Sequence, residues 1–211
     1  MIDLTPLDVR KKRGDFRRGM RGYDTQEVDA FLEVVADRLE ELEEKQAAWD
    51  GERLPRWHMV GHLQSRKAPA VRGRVTLLHS LDSLKLAERL ERTTEEGAPI
   101  LPVLVQVNTS GEEAKYGFSP DGFREALPAL LELRSIRVEG LMTMAPLTSE
   151  EEVLRRTFRQ LRELHEEQRD RVSGYGGTQL SMGMSNDYEV AVEEGSTLVR
   201  LGTVLFGERG R

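Results

Sequence analysis

From residue 57 onward, short apolar runs alternate with longer stretches whose apolar residues recur every three or four positions. The runs at 57–63, 75–81, 102–108, 137–145, 179–184 and 198–206 predict strands. The intervening stretches 64–71, 83–96, 120–131 and 150–169 predict helices. In the last of these, Val153, Leu154, Phe158, Leu161 and Leu164 form one apolar face, with arginines and glutamates opposite. A short helix is also predicted from Tyr188 to Glu194, closed by Gly195. Strands that are apolar throughout and linked by helices form parallel sheets. The expected fold is therefore α/β, an incomplete (β/α)8 barrel of about six parallel strands, two short of closure.

The first fifty residues follow another pattern. Thr5, Pro6 and Asp8 signal a helix start. Arg10, Lys11, Lys12, Arg13, Arg17, Arg18 and Arg21 then cluster around Phe16 and Met20, against a single acid, Asp15. Basic residues around apolar ones suit an anionic membrane surface, or equally a solvated loop whose Phe16 packs on the next helix. Asp24 and Glu27 resemble a capping box. After them Val28, Leu32, Val35, Leu39, Leu42, Gln46 and Trp49 are spaced 4-3-4-3-4-3, a heptad seam that could pair with a second copy. Residues 46–56 read as a junction, so the expected domains are 1–50, helical and coiled-coil-like, and 51–211, the partial barrel.

Composition narrows the function. A net charge of −6 over 211 residues argues against nucleic acid as a partner. With no cysteine there is neither a disulfide framework nor a thiolate. The four histidines suggest no metal site. The opening Met1-Ile2-Asp3 leads into polar sequence, and no apolar run has the length of a membrane span, so a cytoplasmic location is expected.

Ligands of parallel α/β folds gather at strand C-termini. The candidates there are His62 at the end of the first strand, Asn108 and Thr109 at that of the third, Met142, Thr143 and Met144 at that of the fourth, and Ser185 just after the fifth. Arg200, Gly202 and Thr203 lie in the sixth. Ser185, Gly202 and Thr203 offer hydroxyls and close backbone N–H groups, which suits a phosphate. Arg200, charged within an apolar run, needs a carboxylate or a ligand. His62 could instead serve a backbone carbonyl, Asn108 could cap its loop, and the two methionines suit core packing.

Two resemblances follow from quoted motifs. Leu4-Thr5-Pro6, Phe16, Arg21-Gly22-Tyr23-Asp24, Glu27-Val28-Asp29 and Phe31-Leu32 resemble the N-terminal domain of DivIVA, a bacterial division scaffold, over the first 45 residues. That resemblance implies membrane contact through Met20 and Arg21 beside Phe16, with a peripheral location at the inner face of the membrane. The motifs WHMVGHLQSRK, HSLDSLKLAERL, VQVNTSGEEAKYGF, GLMTMAP and LSMGMSNDYEVAVEEGSTLVRLGTVLFG, in this order over residues 55–209, resemble the pyridoxal phosphate homeostasis proteins of the YggS type. This implies a fold-type III barrel related to alanine racemase and pyridoxal 5'-phosphate as cofactor. It also implies no established turnover and a role in vitamin B6 and amino-acid homeostasis. By motif position, Ser185, Gly202 and Thr203 would meet the phosphate and Arg200 the ring, while Asn108 and His62 would line the pocket.

One departure is large. The family holds its cofactor covalently by a lysine on the first barrel strand, and neither that motif nor the next strand's is present. None of Lys11, Lys12, Lys45, Lys67, Lys85 and Lys115 lies in such a strand. Covalent binding is expected to be impaired. A racemase would need that lysine and a second acid/base group, and both are missing. The remaining alternative is a DivIVA-like scaffold carrying a degenerate barrel.

Overall fold

The computed structural model describes residues 18–19, 22–23, 56–95, 97–112 and 116–207, and the chain divides between Pro55 and Arg56. In the first unit, β1 (Arg18–Gly19) and β2 (Gly22–Tyr23) pair antiparallel, Arg18 opposite Tyr23 and Gly19 opposite Gly22. Phe16, Met20, Arg21 and the heptad stretch 28–49 lie outside the described residues.

The second unit is a six-stranded parallel sheet in sequential order. Its strands are β3 (His58–Met59), β4 (Leu77–Leu81), β5 (Leu101–Gln106), β6 (Ile136–Met142), β7 (Gln179–Met184) and β8 (Leu198–Arg200). The connections are a 3-10 helix (Ser65–Val71), then α1 (Leu84–Arg92), α2 (Pro120–Glu132), α3 (Glu151–Arg171) and α4 (Tyr188–Glu193). A final short helix, α5 (Thr203–Phe206), follows β8. Caps set two of the starts. The Ser83 hydroxyl accepts the Leu86 N–H at 3.4 Å, and Ser119 accepts the Gly122 N–H at 3.0 Å with Pro120 in the first helical turn.

The sheet has a separate core on each face. Val103, Val105, Val138, Leu180 and Met182 pack outward with Leu86, Leu90, Phe123, Leu127, Phe158 and Leu161 of the helices. On the concave face, Leu77, Leu104 and Met142 form a smaller cluster joined by Met144 and Leu198. The methionine pair is therefore core packing, as their apolar character allowed. Among the described residues β3 and β8 are edges, so the sheet is a half-barrel, as the strand count predicted.

Three sequence expectations need correction. The strand at 57–63 shrinks to His58–Met59, because Gly61 leaves the ladder. The helix at 64–71 is a 3-10 helix, with Pro69 inside it unable to donate the next α-helical bond. The strand at 198–206 splits in two. Gly202, at φ −126° and ψ −80°, ends the extended run, and Thr203 opens α5, which stops at Gly207 with φ 73°. Gly202 and Thr203 are thus a strand-to-helix turn, not strand residues.

Candidate functional site

The candidate residues from His62 to Thr203 lie at or just beyond the C-terminal ends of their strands, in three groups and the separate loop of Asn108. The first is built by β7 and β8. The Ser185 hydroxyl accepts the backbone N–H of Gly202 at 3.1 Å and that of Val204 at 3.4 Å. One side-chain oxygen thus gathers the amides that open α5, and Thr203 stands between them with its side chain exposed. The loop that carries Ser185 is held from below. Buried Asp187 accepts the Met184 N–H at 2.5 Å, and Gly183 adopts φ +94° where a side chain would meet Ala191 of α4 at 2.6 Å. Hydroxyls and converging N–H groups of this kind suit the oxygens of a phosphate.

The second group surrounds Arg200. Its guanidinium donates to Ser181 Oγ at 2.7 Å and to the Thr143 carbonyl at 2.8 Å. Within the chain its partners are a hydroxyl and a carbonyl, not the carboxylate that charge in an apolar run could have called for. Burial pulls its pKa down to about 10, opposed by the charge of Asp187, so Arg200 stays cationic at neutral pH. Thr143 in turn shares a hydrogen bond with Thr109 at 2.9 Å, both buried.

Sequence reasoning missed what lies behind Arg200. His79 Nδ1 is 2.8 Å from Ser181 Oγ, and His79 Nε2 is 3.0 Å from His58 Nδ1. His79 is buried, and its pKa falls to about 4, first by desolvation and then by the neighbouring His58 and Arg200. A signal was available. In LLHSL, His79 shares the concave face with Leu77, two residues earlier, where a polar ring demands a partner.

The third group is His62. Its Nδ1 lies 2.7 Å from Asp82 Oδ2, and its ring stacks on Tyr116 at 4.2 Å and 18°. A carboxylate therefore holds it, not the backbone carbonyl offered as the alternative. His58 and His62 are four residues apart yet turn to different partners, His79 and Asp82. Among the described residues no three His, Cys, Asp or Glu side chains converge as a metal site. Asn108 ties down its own loop. Its Oδ1 accepts from Ser110 Oγ at 2.9 Å and the Gly111 N–H at 3.1 Å, while Nδ2 donates to the Glu112 carbonyl at 2.8 Å. The capping alternative holds for it.

A further opening lies at the other end of the strands. A cavity of about 800 Å³ is lined at the strand N-termini by Arg56, His58, Leu77, Arg137, Glu139 and Leu198 among others. Near Ser185 the hollow bounded by Ala145, Pro146, Met184 and Asp187 measures about 60 Å³. Among the described residues no strand covers this end of the concave face, so cavity size does not mark the chemistry here.

The model of the alanine racemase N-terminal domain matches residues 23–210. A pyridoxal phosphate homeostasis protein of Aquifex aeolicus is 42% identical over 191 residues, covering 90% of this chain and 78% of that protein. PipY of Synechococcus elongatus, solved with pyridoxal phosphate bound, aligns with a TM-score of 0.66 at 30% identity over 97% of this chain and 89% of its own. Without that ligand its TM-score is 0.69 at 38% identity, over 80% and 78%. The family match starts at residue 23, well before the boundary at 50 read from composition, and these relatives give no support to a division scaffold. On a family model spanning most of its length and a relative that it largely covers, the chain belongs to the alanine racemase N-terminal domain family, among the pyridoxal phosphate homeostasis proteins.

Proposed function

We propose that this chain binds pyridoxal 5'-phosphate reversibly, as a binding protein of vitamin B6 homeostasis and not as an enzyme. The observation that carries the reading is the Ser185 hydroxyl held against the N–H groups of Gly202 and Val204. Ser185, Gly202, Thr203 and Val204 would hold the phosphate. Arg200 would face the pyridine nitrogen. When bound, the cofactor supplies an aldehyde and an electron-withdrawing ring. A guanidinium, which only donates, leaves the ring nitrogen unprotonated and the ring a weaker electron sink. His62 and Asn108 stand at the same end of the sheet, as outer wall and as loop anchor.

The described residues fit the phosphate and the ring but bring no lysine to them for a covalent attachment. Among the described lysines, Lys67 lies on the 3-10 helix and Lys85 on α1, both exposed and away from the concave face. The test is titration of folded protein with pyridoxal phosphate, read by absorbance and competed with inorganic phosphate. Saturable, phosphate-sensitive binding is expected, and no saturation would sink the reading.

A second reading concerns domain 1–50, which we take as a targeting segment ahead of domain 51–211. The basic residues between Arg10 and Arg21 support contact of Phe16, Met20 and Arg21 with anionic membrane at its cytoplasmic face. The seam from Val28 to Trp49 supports self-association. Among the described residues no helix is long and apolar enough to cross a membrane. Co-sedimentation with anionic vesicles tests the contact: pelleting unchanged in the Met20→Ser/Arg21→Glu variant would dismiss it.

A further inference from the structure

Four side chains from four strands form one hydrogen-bonded line through the half-barrel. Arg200 on β8 donates to Ser181 on β7 at 2.7 Å, Ser181 meets His79 on β4 at 2.8 Å, and His79 meets His58 on β3 at 3.0 Å. Ser181 and His79 are buried, while His58 is exposed and lines the cavity at the strand N-termini. The line therefore joins the candidate site to solvent at the opposite end of the sheet.

Its direction follows from donor counting. Arginine only donates, so Ser181 Oγ accepts at its Arg200 side. The single hydroxyl proton of Ser181 then has His79 Nδ1 as its acceptor. A neutral His79 carries its proton on Nε2 and donates it to His58 Nδ1. His58 is left with its own proton on Nε2, toward the cavity. Every donor points away from Arg200.

We propose that Ser181 and His79 are positioning residues for Arg200, and that protonation of His58 at the open cavity disengages them. This rests on the cofactor reading above. A proton on His58 Nδ1 removes the acceptor of His79. His79 recovers only by moving its proton to Nδ1 and donating to Ser181, which strands the buried serine proton. One hydrogen bond of the line is lost, and Arg200 is held less firmly against the ring. The surroundings set where this occurs. On the cavity side Arg56 opposes a charge on His58 and the ion pair of Arg137 with Glu139 shares the lining, while from within Arg200 opposes a charge on His79 and Asp187 offsets Arg200. Burial followed by Arg56 lowers the pKa of His58, so the change falls below its ordinary value of 6.5.

Two measurements on the full chain decide this. Ring-nitrogen NMR of cofactor-free protein at pH 7.5 should show His58 and His79 both neutral with the proton on Nε2, and Ser181→Ala should change the His79 signal while Ser181→Thr restores it. Pyridoxal phosphate titrations at pH 7.5 and pH 5 should show the wild type losing about three- to tenfold more affinity than His58→Phe, the worth of one hydrogen bond. Referring to His58→Phe removes the cofactor's own phosphate titration. Equal losses in the two proteins, or a His79 proton on Nδ1 at pH 7.5, would overturn the proposal. Correct tautomers with no binding at any pH would overturn the cofactor reading, and with it the role given to the line.

Discussion

His79 Nδ1 and Ser181 Oγ are 2.8 Å apart although β5 and β6 separate their strands. A flat sheet would hold strands three places apart at roughly 14 Å. The contact therefore reports the curvature of the half-barrel, and the residues between the two decide whether it survives. Leu104, fully buried on the concave face with Leu77 and Met142, fills that space.

Leu104→Ala should cost about 2–5 kcal/mol in urea unfolding, the range for a buried leucine. If the curvature depends on this filler, the histidine NMR signal of His79 should shift in the variant under native conditions. An unshifted His79 would mean that the outer helices alone bend the sheet.

Gly183→Ala should act on the site through the backbone. The added methyl would meet Ala191 at 2.6 Å, at a φ of +94° that side chains rarely adopt. Displacement of α4 from β7 then moves Ser185. Pyridoxal phosphate affinity should fall by more than tenfold, whereas Ser185→Ala, which loses hydrogen bonds of about 1 kcal/mol each, should fall by roughly tenfold or less. The order of the two losses in a titration is the check.

Acid should unfold the protein partly through His165. Its Nδ1 lies 2.8 Å from the buried Tyr175 hydroxyl, and burial, then Arg169, pulls its pKa from 6.5 to about 4. The unfolded chain binds the proton more readily, so this contribution to stability is complete above pH 6.5 and declines until about pH 4. The loss is on the order of 3 kcal/mol. His165→Gln should flatten that part of the stability curve, measured by urea midpoints across the window. Because His79 titrates in the same direction, some slope should remain.

Glu194 supplies the opposite ionisation. It closes α4, and Arg159 at 2.9 Å, Arg155 at 3.4 Å and Arg162 at 3.6 Å reach it from α3. The hydrogen bond from Arg159 is the main cause that holds its carboxyl below the ordinary 4.5. Stability from this clamp is present above pH 4.5 and lost as pH falls through the lowered value. The arginines that cover it are themselves wet, so the effect should shrink in high salt. Glu194→Gln should lower the melting temperature at pH 7 but leave little difference from wild type near pH 3.

Borohydride treatment with pyridoxal phosphate should yield no stoichiometric adduct on Lys67 or Lys85, both exposed on outer helices. Intact mass and peptide mapping read this directly. A single complete adduct on either would mean that the helix bearing it reaches the site.

The sequence alone settled the layering of this chain. Alternating apolar and amphipathic runs reveal parallel strands under helices, because burial of two sheet faces and one helix face leaves periodic marks along the chain. It also placed Ser185 just past the end of its strand, because chain direction fixes which end of a parallel strand carries the loops, whereas Arg200, Gly202 and Thr203 were read inside a strand that in fact ends at Arg200. The tertiary structure decided what each polar side chain does. His62 chose Asp82, Asn108 chose its own loop, and Arg200 chose Ser181 and a carbonyl. Such choices depend on distances across the fold, as with His79 and Ser181, which are 102 residues apart in sequence. The break after Arg200 was equally hidden, since LGTVLF is apolar enough for a strand, and only the turn at Gly202 made it a helix.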